Sequence, residues 1–224
     1  MLGTSHRFTS EWTRIMLHNP HFVSEDLSEL RALVDEHPWA SIVSMTTHGL
    51  VASHYPVMAE ASDDGGLVLL THMGRPDDES HEIGAGDMLV IVQGPHAYIS
   101  SSWYPPGQFV PTWNHVTAHL TCEPEVLSDD ENFAVLERLV ATFEDQPSAQ
   151  GPLAAYGATA RSVARGTVGL RLHVRRFELV QKLSQNKPAA IVRRVIDELS
   201  STPNDVNAQL ATVMRAANSA RLDS

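Results

Sequence analysis

The stretch that decides the fold covers residues 88–126 and reads MLVIVQGPHAYISSSWYPPGQFVPTWNHVTAHLTCEPEV. Two apolar runs, Met88–Val92 and Ala97–Tyr104, are rich in the residues that favour strands and predict two strands. Pro105-Pro106-Gly107 interrupts the chain, and Phe109–Val126 then predicts a long strand region. Strands this closely spaced are not typical of a βαβ pattern, so a doubly wound parallel sheet is not expected.

The chain before this stretch predicts one helix and several short strands. Ser24–Glu36 has leucines at helical spacing, with Ser24 as the predicted N-cap. Trp39–Met45 predicts a strand. Leu50–Met58 and Leu67–His72 flank an Asp-Asp-Gly-Gly turn, which predicts that these two segments pair as a hairpin.

The chain after this stretch alternates helical and strand patterns. Helices are predicted at Asn132–Phe143, Ala154–Arg165 and Pro188–Leu199, and the last strands at Thr167–Leu183. Thr202-Pro203 predicts one more helix, with Thr202 as its N-cap and Pro203 at the first helical position. Six or seven short strands with a few flanking helices predict an α+β barrel.

The charge distribution argues against nucleic acid as a partner. The formal net charge is −11, from 16 basic and 27 acidic residues. The only lysines are Lys182 and Lys187, and Arg75 is the only Lys or Arg between Arg31 and Arg138. Binding to nucleic acid needs clustered cations that replace the counterions of the phosphates. Direct nucleic-acid binding is therefore not expected.

The cysteine content and the hydropathy pattern point to the cytoplasm. Cys122 is the only cysteine, which excludes an internal disulfide and is typical of a reducing compartment. No apolar stretch reaches the roughly 18 to 20 residues of a membrane span, and Met1–Arg14 has no apolar core of a signal peptide. We expect a cytoplasmic protein without membrane contact. Neither a glycine-rich phosphate loop after a strand nor a Cys/His zinc spacing occurs in the chain.

Four motifs in the sequence resemble a known family. They are GPHAYIS at 94–100, SWYP at 102–105, VPTWN at 110–114 and KLSQNKP at 182–188. Together they resemble the PaiB-like branch of the FMN-binding split-barrel proteins. The resemblance implies an α+β split β-barrel with flanking helices that forms a homodimer, with the cofactor at the subunit interface. On this basis we divide the chain into an N-terminal arm (1–18), a cofactor-binding barrel (19–200) and a C-terminal helix (201–224).

The resemblance leaves two cofactors open. Many members of this family are described as FMN-binding negative transcriptional regulators. A smaller group, the piperazate synthases, are heme enzymes that close an N–N bond in N5-hydroxyornithine to give piperazic acid. The family's lysine-containing insert is absent here, since Pro106–Phe109 bridges its flanking motifs directly, and the usual Tyr after Trp113-Asn114 is His115. A third motif keeps His72 and Arg75 but lacks the family's Asn.

These departures remove donors that an FMN phosphate would use, so we expect heme b ahead of FMN. The predicted ligand of the heme iron is His54, which shares one face of its strand with Ala52 and Pro56. The alternative is a hydrogen-bonded core or interface histidine. His115 and Tyr104 are the predicted catalytic proton donors, and His115 is also the second choice as ligand.

The remaining residues of the predicted cofactor site come from the same motifs. They are His72, Arg75, His96, Ser102, Trp103, Trp113, Asn114, Lys182 and Gln185. Arg75 would pair with an anionic group of the cofactor, or alternatively form a salt bridge with Asp77, Asp78 or Glu79. The tryptophans would stack on a planar ring or simply fill the core. Lys182 and Gln185 would close over an anionic edge or belong to a solvated loop.

Three functions remain open at this point. The first is a heme enzyme of the piperazate synthase kind, acting on a small-molecule substrate. The second is an FMN-binding regulator or a flavin-dependent oxidoreductase. The third is a cofactor-free paralogue that serves as a binding module. We rank the heme enzyme first because of the departures from the family pattern.

Overall fold

The computed structural model describes residues 19–62, 65–144, 152–202 and 204–222. The predicted N-terminal arm lies outside the described residues. The strands are β1 (Val23–Ser24), β2 (Trp39–Thr46), β3 (Gly49–Pro56), β4 (Met58–Ala61), β5 (Leu67–Gly74), β6 (Met88–Ile99), β7 (Thr112–Val126) and β8 (Thr167–Lys182). The α-helices are α1 (Leu27–Glu36), α2 (Asp77–Ser80), α3 (Asp129–Phe143), α4 (Gly157–Ala164), α5 (Ala189–Ser201), α6 (Asp205–Ala217) and α7 (Ser219–Leu222). Short 3₁₀ turns lie at Ser101–Trp103 and Leu153–Tyr156.

The strands form one antiparallel sheet in the order β3-β2-β6-β7-β8-β5-β4, and β1 pairs with β8. The sheet curls so that β3, which lies at one edge, approaches β5, which lies next to the other edge. No strand ladder joins β3 to β5 in the described residues. Instead, the hydroxyl of Tyr55 accepts a hydrogen bond from the N–H of Gly74 at 2.9 Å. A barrel with one seam closed by side chains is the split barrel that the motifs imply.

The central strand β6 joins two segments that the sequence predicted as separate strands. A register shift against β7 lies between Gln93 and His96, so the strand bends there without ending. Gly94 lies at this bulge and allows the close packing of α1. A Cβ on Gly94 would lie 2.6 Å from Cδ1 of Leu33. The apolar pattern predicted most of the strand residues, but the bulge concealed their continuity. The second predicted strand also ran too far, because β6 ends at Ile99 and Ser101–Trp103 forms a 3₁₀ turn capped by Ser100.

The predicted hairpin of Leu50–Met58 with Leu67–His72 is only partly correct. β3 pairs with β2 along its whole length, and only β4 pairs with β5. The chain changes partner after Pro56, which has no N–H to donate to a ladder. The N–H of Val57 donates to the carbonyl of Pro38 at 2.9 Å. This contact redirects the chain from β3 into β4.

Two predicted helix starts are wrong. Asp26, not Ser24, caps α1, because its carboxylate accepts the N–H of Ser28 at 2.7 Å. The cap of α6 is Asn204, whose side chain accepts the N–H of Val206 at 2.9 Å. Thr202 instead ends α5, where its hydroxyl donates to the carbonyl of Glu198. In both cases an Asp or Asn close by takes the capping role that the sequence assigned to Ser or Thr.

The core fills the inner face of the barrel. Its fully buried large side chains include Ile42, Leu69, Met88, Leu120, Leu170, Leu172 and Leu179. Leu210 and Met214 of α6 belong to the same buried cluster, so the C-terminal helical segment packs directly on the barrel. None of the described helices is long and apolar enough to cross a membrane.

Candidate functional site

The opposite, outer face of the sheet carries a row of three polar side chains. His96 on β6 lies directly opposite His115 on β7, and His115 lies directly opposite Lys182 on β8. Residues paired in this way project from the same face with neighbouring Cβ atoms roughly 5 Å apart. The structure therefore brings together three of the residues predicted from the motifs. We call them the His–Lys row.

An aromatic wall lies beside the His–Lys row. Tyr98 is directly opposite Trp113, with ring centroids 6.0 Å apart, and His96 lies 6.5 Å from Trp113. Trp113 is 56% exposed and Tyr98 is 49% exposed. Large aromatic side chains that are exposed to solvent in this way provide a surface for a planar ring or for a protein partner. The exposed position of Trp113 does not agree with the core-filling alternative, and its stacking on a planar ring stays a prediction.

The two lysines of the chain, Lys182 and Lys187, have different direct neighbours. Nζ of Lys182 donates to Oγ1 of Thr112 at 2.5 Å. Nζ of Lys187 lies 3.9 Å from the ring centroid of Phe109 and 5.1 Å from that of Tyr104. Burial lowers the pKa of Lys187, and the nearby charge of Lys182 lowers it further. Burial also lowers the pKa of Lys182. An acidic protein thus concentrates its lysines at one place.

His115 is set up to stay neutral at physiological pH. Burial lowers its pKa, and the charges of Lys182 and His96 lower it further. Its Nδ1 lies 3.2 Å from Oγ1 of Thr117. A neutral imidazole has one nitrogen free to accept a proton, so this residue can take part in proton transfer.

The SWYP motif contributes one contact to Lys187, through Tyr104. The Tyr104 ring packs against Phe109 and Lys187, and its buried hydroxyl has no hydrogen-bond partner among the described residues. Burial raises the pKa of Tyr104. Trp103 packs against the barrel core, which corresponds to its core-filling alternative. The N–H of Ser102 donates to Oγ of Ser100, which closes the turn.

Asn114 and Gln185 lie on the inner side of the site. Asn114 is 1% exposed, and its Nδ2 donates to Oγ of Ser184 at 2.9 Å. The side chain of Gln185 folds back on its own loop, because Nε2 donates to the carbonyl of Gln181 and Oε1 accepts the N–H of Leu183. Both residues thus shape the loop that carries Lys187.

His72 and Arg75 lie in a separate place, at the β3–β5 seam. His72 packs edge-on against Tyr55 with centroids 5.7 Å apart, and burial lowers its pKa. Arg75 forms a salt bridge with Asp78 at 2.5 Å, which is one of the alternatives considered for it. His72 pairs with Gly169, at the opposite end of β8 from Lys182. The structure therefore does not place these two residues in the His–Lys row.

His54 projects from the outer face of the edge strand β3. Ala52 and His54 are exposed, whereas Ser53 and Tyr55 face the other way and donate to Asp77 at 2.8 Å. The alternation predicted for this strand is confirmed. Cross-strand pairing aligns His54 with Ser41, Ile91 and His119 rather than with His115. Among the described residues no group of three metal-ligating side chains occurs.

The outer face also carries exposed apolar side chains away from the His–Lys row. Met45 and Leu50 are paired across β2 and β3 and are 70% and 71% exposed. Trp39 on the same face of β2 is 64% exposed. Exposed apolar side chains on one face of a sheet are candidates for an interaction site.

Comparison with known proteins now identifies the family. Residues 16–176 match the family model described as "Putative FMN-binding domain". The chain belongs to this FMN-binding split-barrel family. A Bacillus subtilis member, "Protease synthase and sporulation protein PAI 2", is 30% identical over 199 residues, which cover 87% of this chain and 94% of the relative. The PaiB-like resemblance inferred from the motifs is thereby confirmed.

Solved structures confirm the fold at lower identity. The "FAD and Heme binding protein" from Mycobacterium smegmatis superposes with a TM-score of 0.55 at 19% identity, covering 71% of this chain and 73% of its own. The "Flavocytochrome Anf3" from Azotobacter vinelandii gives 0.56 at 12% identity, covering 71% and 68%. The family match favours FMN, which the sequence analysis had ranked below heme b.

Sequence reasoning missed several residues of the site. Thr112 and Tyr98 were not selected, although both alternate in register with selected residues on their strands. Asn218 and Arg221, which contact the loop with Lys187, are far away in the sequence and carry no motif. The strand alternation could have indicated the first pair, but nothing in the sequence indicated the second.

Proposed function

We propose that this protein is an FMN-binding homodimer of the PaiB-like kind, in which the lysines bind the flavin phosphate. One observation carries the proposal: Lys182 completes the His–Lys row and donates to Thr112, the residue before the exposed Trp113, and the chain's other lysine, Lys187, follows in the next loop. The family match to an FMN-binding domain supports the choice of flavin.

The residues present fit FMN by their chemistry. A phosphate dianion needs cations and hydrogen-bond donors, which Lys182, Lys187 and the hydroxyl of Thr112 would supply. The exposed rings of Trp113 and Tyr98 would lie against the flat isoalloxazine ring.

Bound FMN would supply hydride or single-electron transfer. The part of the chain would be to bind the phosphate, shield the ring from water and handle a proton. The neutral imidazole of His115 is suited to accept a proton beside the ring, because burial and neighbouring charges keep it unprotonated. Whether the outcome is oxidoreduction of a small molecule or regulation, the acidic surface favours an action without direct DNA contact.

The second subunit of the proposed dimer would cover the outer face. Trp39, Met45 and Leu50 are large apolar side chains that are more than half exposed, and Trp113 lies on the same side of the sheet. Covering this face with a second copy would bury these side chains and enclose the flavin between subunits. The proposal thus accounts for the apolar face and the cationic site together.

A heme enzyme that forms the N–N bond of piperazic acid is the second candidate. The observation in its favour is that the imidazole of His54 is exposed on the outer face with no hydrogen-bond partner among the described residues. Such an imidazole is available to ligate heme iron. In that case the second amine of N5-hydroxyornithine would attack the hydroxylated nitrogen as the N–O bond breaks. His115 or Tyr104 would give the hydroxyl the proton with which it leaves as water, and the attacking amine would lose the proton that restores the donor.

Reconstitution with each cofactor separates the two candidates. The purified protein is incubated with FMN or with hemin and passed through a gel-filtration column, and the spectrum of the protein peak is recorded. The proposal expects retained flavin absorbance that is the same in His54→Ala and in the control His48→Ala, which changes an exposed turn histidine. A Soret band that is lost only in His54→Ala, without flavin retention, would transfer the assignment to the heme enzyme.

A further inference from the structure

The loop that follows β8 holds an unusual backbone conformation. We call residues 183–187 the lysine loop, because it links Lys182 to Lys187. Ser184 has φ of 65°, in the left-handed region that non-glycine residues seldom adopt. Such a conformation persists only when the surroundings hold it. Asn114 contributes one holding contact, since its Nδ2 donates to Oγ of Ser184.

The main holding contacts come from the C-terminal end of the described chain. Nδ2 of Asn218 donates to the carbonyl of Leu183 at 3.1 Å. Nη1 of Arg221 donates to the carbonyl of Gln185 at 2.5 Å, and its Nη2 donates to the carbonyl of Lys187. Alternate carbonyls of the lysine loop are therefore bonded to two residues of one short segment.

Arg221 suits this role because of its shape. The guanidinium group is planar and presents its donors as a rigid fork, so two carbonyls bound to it are fixed relative to each other. A third hydrogen bond, from Nη1 to Oδ1 of Asn218 at 3.0 Å, orients the fork itself. Since these donors point to backbone carbonyls, Arg221 fixes the position of Lys187 rather than binding a ligand directly.

We infer that Arg221 is a positioning residue for phosphate recognition. It holds the lysine loop so that Lys187 stays beside Lys182, and the pair then binds the phosphate of FMN. The inference rests on the proposed function. It also has a specific consequence: loss of Arg221 weakens the recognition of the phosphate and leaves the contacts to the flavin ring unchanged.

Paired titrations with FMN and riboflavin test this consequence, because the two ligands differ only in the phosphate. Arg221→Ala should weaken FMN binding about tenfold, the loss expected when one charge-assisted contact is disturbed. Riboflavin affinity should stay within about twofold of wild type. Arg221→Lys, which keeps the charge but not the fork, should give an intermediate FMN affinity. Arg215→Ala is the matched control, since it removes an exposed arginine from α6.

Amide hydrogen exchange on the flavin-free protein provides a readout that does not depend on ligand. The N–H of Lys187 donates to the carbonyl of Ser184 at 2.9 Å. Arg221→Ala should speed exchange in residues 183–187 and leave the core strands protected. Thermal melting should change little in both arginine variants.

The outcomes distinguish the inference from the function on which it rests. If the wild-type protein binds no FMN, the proposed function fails and the inference fails with it. If the wild type binds FMN but Arg221→Ala keeps the wild-type ratio of FMN to riboflavin affinity, only the inference is overturned. Two further results would also overturn the inference. One is that Arg221→Ala weakens the binding of FMN and riboflavin equally, and the other is that Arg221→Lys keeps the wild-type ratio of FMN to riboflavin affinity. Either result means that the guanidinium fork does not position the phosphate contacts.

Discussion

The inner and outer faces of β7 show how one strand serves two purposes. Its inner residues alternate with its outer residues one by one. The inner side chains, Asn114, Val116, Ala118, Leu120 and Cys122, are buried against the helices and the barrel interior. The outer side chains, Trp113, His115, Thr117, His119 and Thr121, stay half-buried or exposed. The inner set fixes the fold, and the outer set is free to form a site.

The largest expected effect tests the inner face. Leu120 is fully buried in the core, so Leu120→Ala should lower the free energy of unfolding by about 2–5 kcal/mol. Thr121→Ala, one residue along on the outer face, should change it by no more than about 0.5 kcal/mol. Urea denaturation measures both values. Similar losses in the two variants would mean that the two faces do not differ as described.

The next effect tests the outer face as a dimer interface. Met45→Glu would place a charge on the apolar face at a position opposite Leu50. We expect the dimer dissociation constant to rise by about 30-fold or more, which corresponds to about 2 kcal/mol, the cost of changing an interface residue that contributes strongly to binding. Analytical ultracentrifugation measures this constant. Val163→Glu, at an exposed apolar position of α4, is the control that should leave it unchanged. A monomeric wild type would contradict the dimer.

A smaller effect concerns the buried histidine His81, which follows α2 and contacts β2. His81 is 2% exposed, its Nδ1 lies 2.8 Å from Oγ of Ser44, and burial lowers its pKa despite the opposing charge of Asp77. The folded state therefore binds fewer protons than the unfolded state below the ordinary histidine pKa of about 6.5. Stability should fall as the pH drops below this value.

His81→Gln should reduce the pH dependence of the free energy of unfolding. At neutral pH this variant is expected to be less stable than the wild type. The slope that one histidine can contribute is at most about 1.4 kcal/mol per pH unit. Denaturation at pH 7 and pH 5 measures it, and His48→Gln, at an exposed turn, should keep the wild-type slope. An unchanged slope in His81→Gln would mean that this histidine does not titrate differently on folding.

The smallest expected effect is that the thiol of Cys122 does not react in the folded protein. Cys122 lies on the inner face of β7, and burial raises the pKa of its thiol to about 12. Since only the thiolate reacts, iodoacetamide at pH 8 should leave the folded protein unmodified and label it in urea. Mass spectrometry gives the result. Rapid labelling of the folded protein would show that the inner face opens to solvent.

The sequence predicted the two faces well but not the connections between them. Strand alternation correctly placed His54 with Ala52, because side-chain direction follows directly from residue spacing. The bulge at Gly94 and the change of partner after Pro56 depend on packing between distant segments, which no local pattern records. The same holds for the site: the motifs gave His96 and Lys182, whereas Arg221 reaches its loop only through the tertiary fold.

The central claim is that Lys182 and Lys187 recognise a flavin phosphate. Its most direct test is a comparison of FMN and riboflavin binding in the wild type and in Lys182→Gln/Lys187→Gln, measured by flavin fluorescence. The account predicts that the wild type prefers FMN by roughly 10- to 100-fold, the range for contacts to a charged group, and that the double variant loses this preference while it still binds riboflavin. Equal affinity of the wild type for both ligands, or an unchanged preference in the double variant, would contradict it.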